Sequence, residues 1–365
     1  MLVKASSARS AMRVFRSVPG TGGGAGSPAL GSVRMLRTSS AVQLTYSHAI
    51  VRDHSPRFAM DAVRFEASEV PVSQAKAERQ HGVCSSFESA APCAVVRLLC
   101  LTGLCVCTRA CSCSCARSCM GMAWVTAEYV AALRKVVPHV VELPALAGHP
   151  DCVFVEDTAV VVGSTAMITA IGHPDRAGEE DTVAAALADL RGADGSRAMT
   201  VVRASELSAG ARVDGGDVLY TGHEIFVGAS TRTNEAGVEA LRAAFPGTPV
   251  HPIKVSGALH LKSLVTLCAP GTLVASSCDP GRSAAAAILE AATATYSFVH
   301  VQPAALANVV LANGTLFHRA EDEHPGGSAA FAELPGVDRL VPLHASEVEK
   351  ADGALTCCSI LVNLP

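Results

Sequence analysis

Four short stretches of the chain bring together residue types that could do chemistry. Asp151-Cys-Val-Phe-Val-Glu156-Asp157 places adjacent carboxylates at the end of an apolar strand, and Asp214-Gly-Gly-Asp217 places two more around a glycine pair that opens a strand. His260-Leu-Lys262 opens a further unit, and Thr356-Cys357-Cys358-Ser359 reads as part of an apolar strand near the C-terminus. Burying carboxylates is costly unless they meet a cation, so Glu156 and Asp157, if buried, argue for a cationic ligand. A cysteine on an apolar strand is more often a small buried hydrophobe than a nucleophile. Strand alternation also sends Cys357 and Cys358 to opposite faces, so at most one of them faces a site. Taken singly, His260 reads as a core histidine, Gly215-Gly216 as a turn, and Arg176 and Arg232 as surface charges.

These groups must be positioned by a repeated unit. From Val153 onward two short apolar runs meet at a turn, a helical stretch follows, and a third apolar run closes the unit. The first unit has Cys152–Val155, Thr158–Val162 and Thr165–Thr169, a helix over Glu179–Leu190 and a run at Met199–Val202. The second has Asp217–Tyr220, Ile225–Gly228, a helix over Asn234–Phe245 and Val250–Val255. The third has Leu264–Cys268, Thr272–Ala275, a helix over Arg282–Ala292 and Ser297–Val301. The fourth is a hairpin, Val309–Ala312 and Thr315–His318 about Asn313-Gly314, the strongest short hairpin signal, with a helix over Ser328–Leu334 and Arg339–Leu343. Starts spaced by about 45 to 60 residues suggest an array of supersecondary units. A fifth unit can be assembled only from both chain ends: Leu355–Val362, Ala49–Arg52, a helix split between Ser73–His81 and Ala127–Val137, and Val140–Leu143. A ring shut by its termini has no free edge strands. The expectation is one α/β domain of five ββαβ modules, whose equivalent ends would meet at the axis and gather the acids, the histidine and a cysteine in one funnel.

Composition narrows the rest. Of 365 residues, 49% are apolar and 17% charged, which is enough for a core and excludes general disorder. A net charge of -4 offers no basic excess for a nucleic-acid backbone, and 4% aromatics make stacking platforms for single strands a poor fit. No apolar run reaches the roughly 20 residues of a spanning helix, so no membrane association is expected.

Residues 1–44 lack Asp and Glu but carry six Lys or Arg among many Ser, Ala and Gly. That is the composition of an organellar transit peptide, which would make the protein mitochondrial; as a disordered tail it would leave the protein cytoplasmic. Residues 45–365 form the expected catalytic domain, interrupted by a Cys-rich insertion over 82–127 that holds nine of the 14 cysteines in its stretch from Cys84 to Cys119. Thiolates at such spacing suit soft metals, but paired C-x-x-C knuckles and a histidine are missing. A surface loop and a gene-model artefact, consistent with the abrupt composition change inside a helix, are the other readings.

The chain resembles the dimethylarginine dimethylaminohydrolase family of the guanidino-modifying pentein superfamily. The resemblance rests on Pro150–Asp157, Asp214-Gly-Gly-Asp-Val-Leu219, Arg232-Thr-Asn234, Leu259-His-Leu-Lys-Ser263, and Asp352-Gly353 followed by Leu355-Thr-Cys-Cys-Ser359, in order, and runs from about Ser47 to Asn363 apart from the insertion. It implies the pentein five-bladed αβ-propeller with pseudo-five-fold symmetry. It also implies hydrolysis of Nω,Nω-dimethyl-L-arginine, and of the monomethyl compound, to citrulline and an amine. By this resemblance Cys357 attacks the guanidinium carbon, His260 serves as acid and then base, and Asp214 orients His260. Glu156 and Asp157 grip the guanidinium, and Arg176 and Arg232 hold the carboxylate. Asp151, with the backbone of Val63 and Ala351, faces the α-amino group; Val63 stands where the family often has Leu. No cofactor is implied, and zinc bound at Cys357 and His260 would inhibit. The expected partner is a small methylated arginine, and the chain would be a monomer or homodimer. Two other readings stay open: an arginine deiminase-type hydrolase releasing ammonia, and an inactive protein that binds arginine derivatives or metal.

Overall fold

The structure, a computed structural model, describes residues 42, 44–54, 114–192 and 195–364, with the backbone alone over 114–123. In chain order the strands are β1 (His48–Arg52), β2 (His139–Leu143), β3 (Ala159–Val162), β4 (Thr165–Ile168), β5 (Thr200–Arg203), β6 (Val218–Tyr220), β7 (Ile225–Ala229), β8 (Val250–Lys254), β9 (Val265–Ala269), β10 (Thr272–Ser276), β11 (Ser297–Val301), β12 (Val310–Ala312), β13 (Thr315–Arg319), β14 (Arg339–Leu343) and β15 (Ile360–Val362).

They form five three-stranded sheets, β3-β4-β5, β6-β7-β8, β9-β10-β11, β12-β13-β14 and β15-β1-β2. In each, the middle strand pairs antiparallel with the first and parallel with the third. An antiparallel neighbour can be joined by a tight turn, whereas a parallel one needs a crossover, which here carries a helix. At the β12–β13 turn Asn313 and Gly314 both have positive φ, 47° and 73°, as the expected hairpin requires. The crossover helix Glu235–Ala244 starts at Asn234, whose side chain accepts a hydrogen bond from Gly237 N at 2.9 Å, and buries Val238, Ala240 and Leu241.

The chain ends meet as expected: β1 pairs β15 with His48 opposite Val362 and β2 with His48 opposite His139. The core lies between sheets. One cluster joins Val160 and Met167 to Val218 and Ile225, and the next joins Leu219 and Phe226 to Val265 and Leu273. A third joins Val274 to Leu316 and Phe331, a fourth Val310 and Phe317 to Val51 and Leu133, and a fifth Ile50 and Ile360 to Ala166 and Ile168.

Three expectations need correction. Cys152–Val155 is not a strand; it turns into a 3-10 helix, Val155–Thr158, with Phe154 N bonded to Asp151 O at 2.9 Å. Of Leu355–Val362 only β15 is extended, because Thr356–Cys358 is also a 3-10 turn. A short buried apolar run does not by itself distinguish strand from helical turn, and here local backbone bonds such as Cys358 N to Leu355 O replace ladder bonds. Cys357 and Cys358 therefore do not alternate as strand residues would. The helix expected over Ala127–Val137 is the end of a longer one, Ser114–Leu133. Residues 55–113, with Ser73–His81, Val63 and most of the clustered cysteines, lie outside the described residues, as does nearly all of 1–44. Among the described residues no helix is long and apolar enough to cross a membrane.

The corrections expose a regularity. A 3-10 turn stands at the head of the first strand of every sheet: Val155–Thr158, Gly215–Asp217, Leu261–Ser263, Ala304–Ala307 and Thr356–Cys358. These turns carry or border almost every polar group considered next.

Candidate active site

Asp157 lies on the first turn, Asp214 just before the second, His260 just before the third, Asn308 just after the fourth, and Cys357 on the fifth. Cys357, His260, Asp157, Asp151, Arg176, Arg232 and Ala351 line one pocket together with Phe154, Leu259, Asp352 and Gly353. The structure thus brings together seven of the ten site residues expected from the sequence.

The other three are placed differently. Asp214 is fully buried behind the pocket, where its Oδ2 accepts a hydrogen bond from His260 Nε2 at 3.0 Å. Its Oδ1 accepts from Gly172 N at 2.6 Å, and Thr233 Oγ1 accepts from Asp214 N at 3.3 Å, so the carboxylate cannot swing away from the imidazole. Glu156 turns away from the pocket: it takes Lys262 Nζ at 2.6 Å and Thr356 Oγ1 at 2.8 Å and lines a separate cavity. Adjacent residues on a tight turn point in different directions, so only one of the two carboxylates can face a ligand. Glu156 is therefore not a direct guanidinium contact here. Val63 lies outside the described residues.

Asp157 is held on both oxygens. Oδ1 accepts from Gly216 N at 2.9 Å and Oδ2 from Arg176 Nη1 at 2.6 Å. His260 Nε2 lies 4.0 Å from Oδ1. Burial works against its charge, but His260 and Arg176 outweigh it and hold the Asp157 pKa down at about 2. His260 is the mirror case. Burial would depress it, yet Asp157, the hydrogen bond to Asp214 and the charge of Asp217 raise it to about 9. At neutral pH the pair is an imidazolium beside a carboxylate.

The thiol of Cys357 is pushed well above its ordinary value, by burial first and then by the carboxylates of Glu156 and Asp157. Cys358 is pushed up to about 12, again by burial and by Glu156. A neutral thiol, an acidic imidazolium and a fixed carboxylate suit a cationic electrophile. Its arrival brings positive charge next to the sulfur and favours the thiolate that attacks it.

Sequence reasoning missed several supports. Asn308 Nδ2 donates to Thr356 Oγ1 and to Lys262 O, both at 3.0 Å, and its Oδ1 accepts from Thr356 N at 3.0 Å, tying the cysteine turn to the histidine turn. Asp217 accepts from Ser230 Oγ at 2.6 Å, Thr233 Oγ1 at 2.7 Å and Leu261 N at 3.0 Å, and so fixes the turn after His260. Glu179 holds Arg176. The three-residue spacing of Arg176 and Glu179 was a readable signal for that pair, whereas Asn308, at the end of an Ala-rich stretch, gave none. Among the described residues Asp157, Asp214 and His260 also offer donor atoms within 4.8 Å of one another, but their mutual bonds and Arg176 already engage them.

No protein-family profile matches the chain. It is 34% identical over 232 residues to a human protein named putative hydrolase DDAH2, covering 61% of this chain and 78% of that one. It is 36% identical over 213 residues to the N(G),N(G)-dimethylarginine dimethylaminohydrolase of Streptomyces coelicolor, covering 58% and 74%. Among solved structures it resembles a mutant of the Pseudomonas aeruginosa dimethylarginine dimethylaminohydrolase complexed with citrulline, with TM-score 0.57, 20% identity, and coverage of 87% of this chain and all of that one. It also resembles the N-terminal domain of a cyanobacterial arginine dihydrolase, with TM-score 0.55, 18% identity, and coverage of 69% and 89%. At those identities the structural likeness speaks for the α/β pentein fold alone.

Proposed function

Because this chain belongs to the dimethylarginine dimethylaminohydrolase family, we propose that it hydrolyses Nω,Nω-dimethyl-L-arginine, and Nω-monomethyl-L-arginine, to citrulline and the corresponding methylated amine. The observation that carries this reading is that Cys357, His260 and Asp157 line one pocket while Asp214 holds His260 from behind.

The guanidinium sits against Asp157, which its bonds to Gly216 and Arg176 keep ionised and in place. Its charge lowers the cost of the Cys357 thiolate, so the thiol releases its proton to solvent and the sulfur forms a bond to the guanidinium carbon, whose C=N π electrons move onto nitrogen. His260, charged at neutral pH, gives its proton to the departing dimethylamine as the carbon–nitrogen bond breaks. The imidazole, now neutral, takes a proton from water, and the resulting hydroxide attacks the covalent thiouronium. The thiolate leaves, the hydroxyl proton of the resulting carbon is lost to solvent to give the neutral ureido group of citrulline, and the thiolate takes a proton back from solvent. Asp214 keeps the imidazole oriented through both halves, as carboxylates do in triads. Asp151 and the backbone of Ala351, which line the same pocket, face the α-amino group, and Arg232 faces the carboxylate. A soft divalent ion competing for Cys357 and His260 would inhibit. All these side chains come from one chain, so a monomer carries the chemistry.

The same reading extends to the fold, as a closed five-bladed propeller with pseudo-five-fold symmetry. It is supported by the core clusters between successive sheets, including the one that packs β15 and β1 against β3 and β4. The test of the reaction is citrulline release from asymmetric dimethylarginine beside arginine, with Cys357→Ser as control. Release from the dimethylated substrate that disappears in the variant is expected; release from arginine alone would move the protein to the deiminases.

A further inference from the structure

Arg319 is the last residue of β13 and is 1% exposed. A guanidinium buried that far needs anionic partners, and the chain supplies two from different segments. Glu323, on the turn that follows β13, accepts from Nε at 3.0 Å and Nη2 at 2.8 Å on its Oε2. Glu349, at the end of the short helix Ser346–Glu349, accepts from the same Nη2 at 2.9 Å. Glu323 also accepts from Ala345 N at 2.9 Å and Ser346 N at 3.0 Å, so it holds the start of that helix while Glu349 holds its end. His324 Nε2 stands 3.3 Å from Glu349 Oε2. The helix leads straight into the pocket wall. Ala351 N and Gly353 N both donate to Val348 O, at 3.1 and 2.9 Å, and Asp352 N donates to Glu349 O at 3.0 Å. Asp352 takes a φ of 57°, and a β-carbon at Gly353 would collide with the Phe154 ring. The backbone is thus fixed where Ala351, Asp352 and Gly353 line the pocket.

We propose that Glu323 and Glu349, joined through Arg319, are positioning residues for recognition of the substrate's α-amino group. None of the three is among the residues lining the pocket. They act through the backbone of Ala351, two residues after Glu349, which the reading above sets against that amine and on which this inference rests. The fourth sheet thereby fixes the part of the wall that tells an amino acid from a plain guanidino acid. The reacting carbon is held by other elements, Asp157 on the first turn and Cys357 on the fifth. Loss of the network is therefore felt at the amine end of the substrate.

The test is calorimetric titration of full-length Cys357→Ser protein with asymmetric dimethylarginine and with its desamino analogue, which keeps the carboxylate and the dimethylguanidine. This parent should prefer the amine-bearing ligand by roughly 10²-fold, because the analogue forgoes the bonds to Asp151 and Ala351 O. Adding Glu349→Ala, at a side chain 45% exposed, should cut that preference roughly tenfold by weakening the amine-bearing ligand, and leave the analogue within about twofold of the parent. Adding Glu349→Gln keeps an acceptor for Arg319 without the charge and should fall between, with a cut of about threefold. A merely structural residue would weaken both ligands alike. A preference that stays within about twofold of the parent's in Glu349→Ala, whether both ligands bind as before or weaken together, overturns the proposal. If Glu349→Ala fails to fold, an unchanged preference in Glu349→Gln overturns it instead. A parent that shows no preference, or binds neither ligand, overturns it as well. Binding that follows the expected pattern in a protein whose wild type releases no citrulline would support this inference and reject the reaction, so the two failures are distinct.

Discussion

Gly216 lies flat against the His260 ring: a β-carbon at position 216 would stand 2.6 Å from Nδ1, 2.9 Å from Cγ and 2.8 Å from Asp157 Oδ1. Nothing larger than hydrogen fits without moving the imidazole or the carboxylate. Gly216→Ala is therefore expected to keep the fold and lower kcat by roughly 10²-fold, the usual cost of displacing a catalytic group by about 1 Å. Steady-state kinetics beside a denaturation curve checks this; near-normal kcat would show that the ring has room to shift.

The two neighbouring cysteines should separate cleanly. Cys357 lines the pocket, whereas Cys358 does not and its Sγ faces Ala354 O at 3.6 Å. Cys357→Ser should reduce citrulline release by roughly 10³-fold or more, and Cys358→Ser by less than about tenfold. Trapping of the thiouronium by acid quench and mass spectrometry should localise it to Cys357.

His260 gives the pH dependence a definite sign. The acid form dominates below its folded pKa of about 9, so the rate of amine release should fall as pH rises through 9. Asp214→Asn removes both a hydrogen bond and a charge that raise this pKa, and should move the limb to lower pH. Stability follows the same linkage. A raised histidine pKa contributes stability fully present below the unfolded value, about 6.5, and lost as pH climbs through 9. The depressed pKa of Asp157 contributes stability present above about 3.9 and lost as pH falls through about 2. Denaturant midpoints of wild type should therefore drop between pH 7 and 10 more than those of His260→Asn.

Asn308→Ala removes three hydrogen bonds, two to Thr356 on the cysteine turn and one to Lys262 O on the histidine turn. At about 1 kcal/mol for each net bond the loss should reach about 2 to 3 kcal/mol in urea titration. The KM should change less than kcat, because Asn308 is not among the residues lining the substrate pocket. An unchanged kcat would mean that Thr356 keeps its place through Glu156 alone.

The units and the motifs were legible in the sequence because each demands particular residue types: apolar runs for buried strands, Asn-Gly for the tight turn, acids and a histidine at the strand heads. The backbone of those heads was not. Apolar Cys152–Val155 and Leu355–Ser359 satisfy a strand pattern and a buried turn equally well, and tertiary packing decides. The same ambiguity hid the fate of Glu156. Adjacent to Asp157 and identical in charge type, it faces Lys262 across a different cavity, and only the handedness of the turn separates them. Arg176 was a carboxylate contact only by the family resemblance; no spacing in the sequence shows that its guanidinium also bonds Asp157 and Glu179.

The sheet β15-β1-β2 unites the two ends of the chain, with Ser47 and Val362 separated by 315 residues. Consider a ribosome making this protein. The other four sheets can pair their strands as they emerge, but β1, made early, must wait for β15, made last. The turn bearing Cys357 precedes β15 by two residues and gains its anchors only then. Among the described sheets this one is completed last, so a nascent chain that has not yet released β15 holds its other sheets without a seated Cys357 turn.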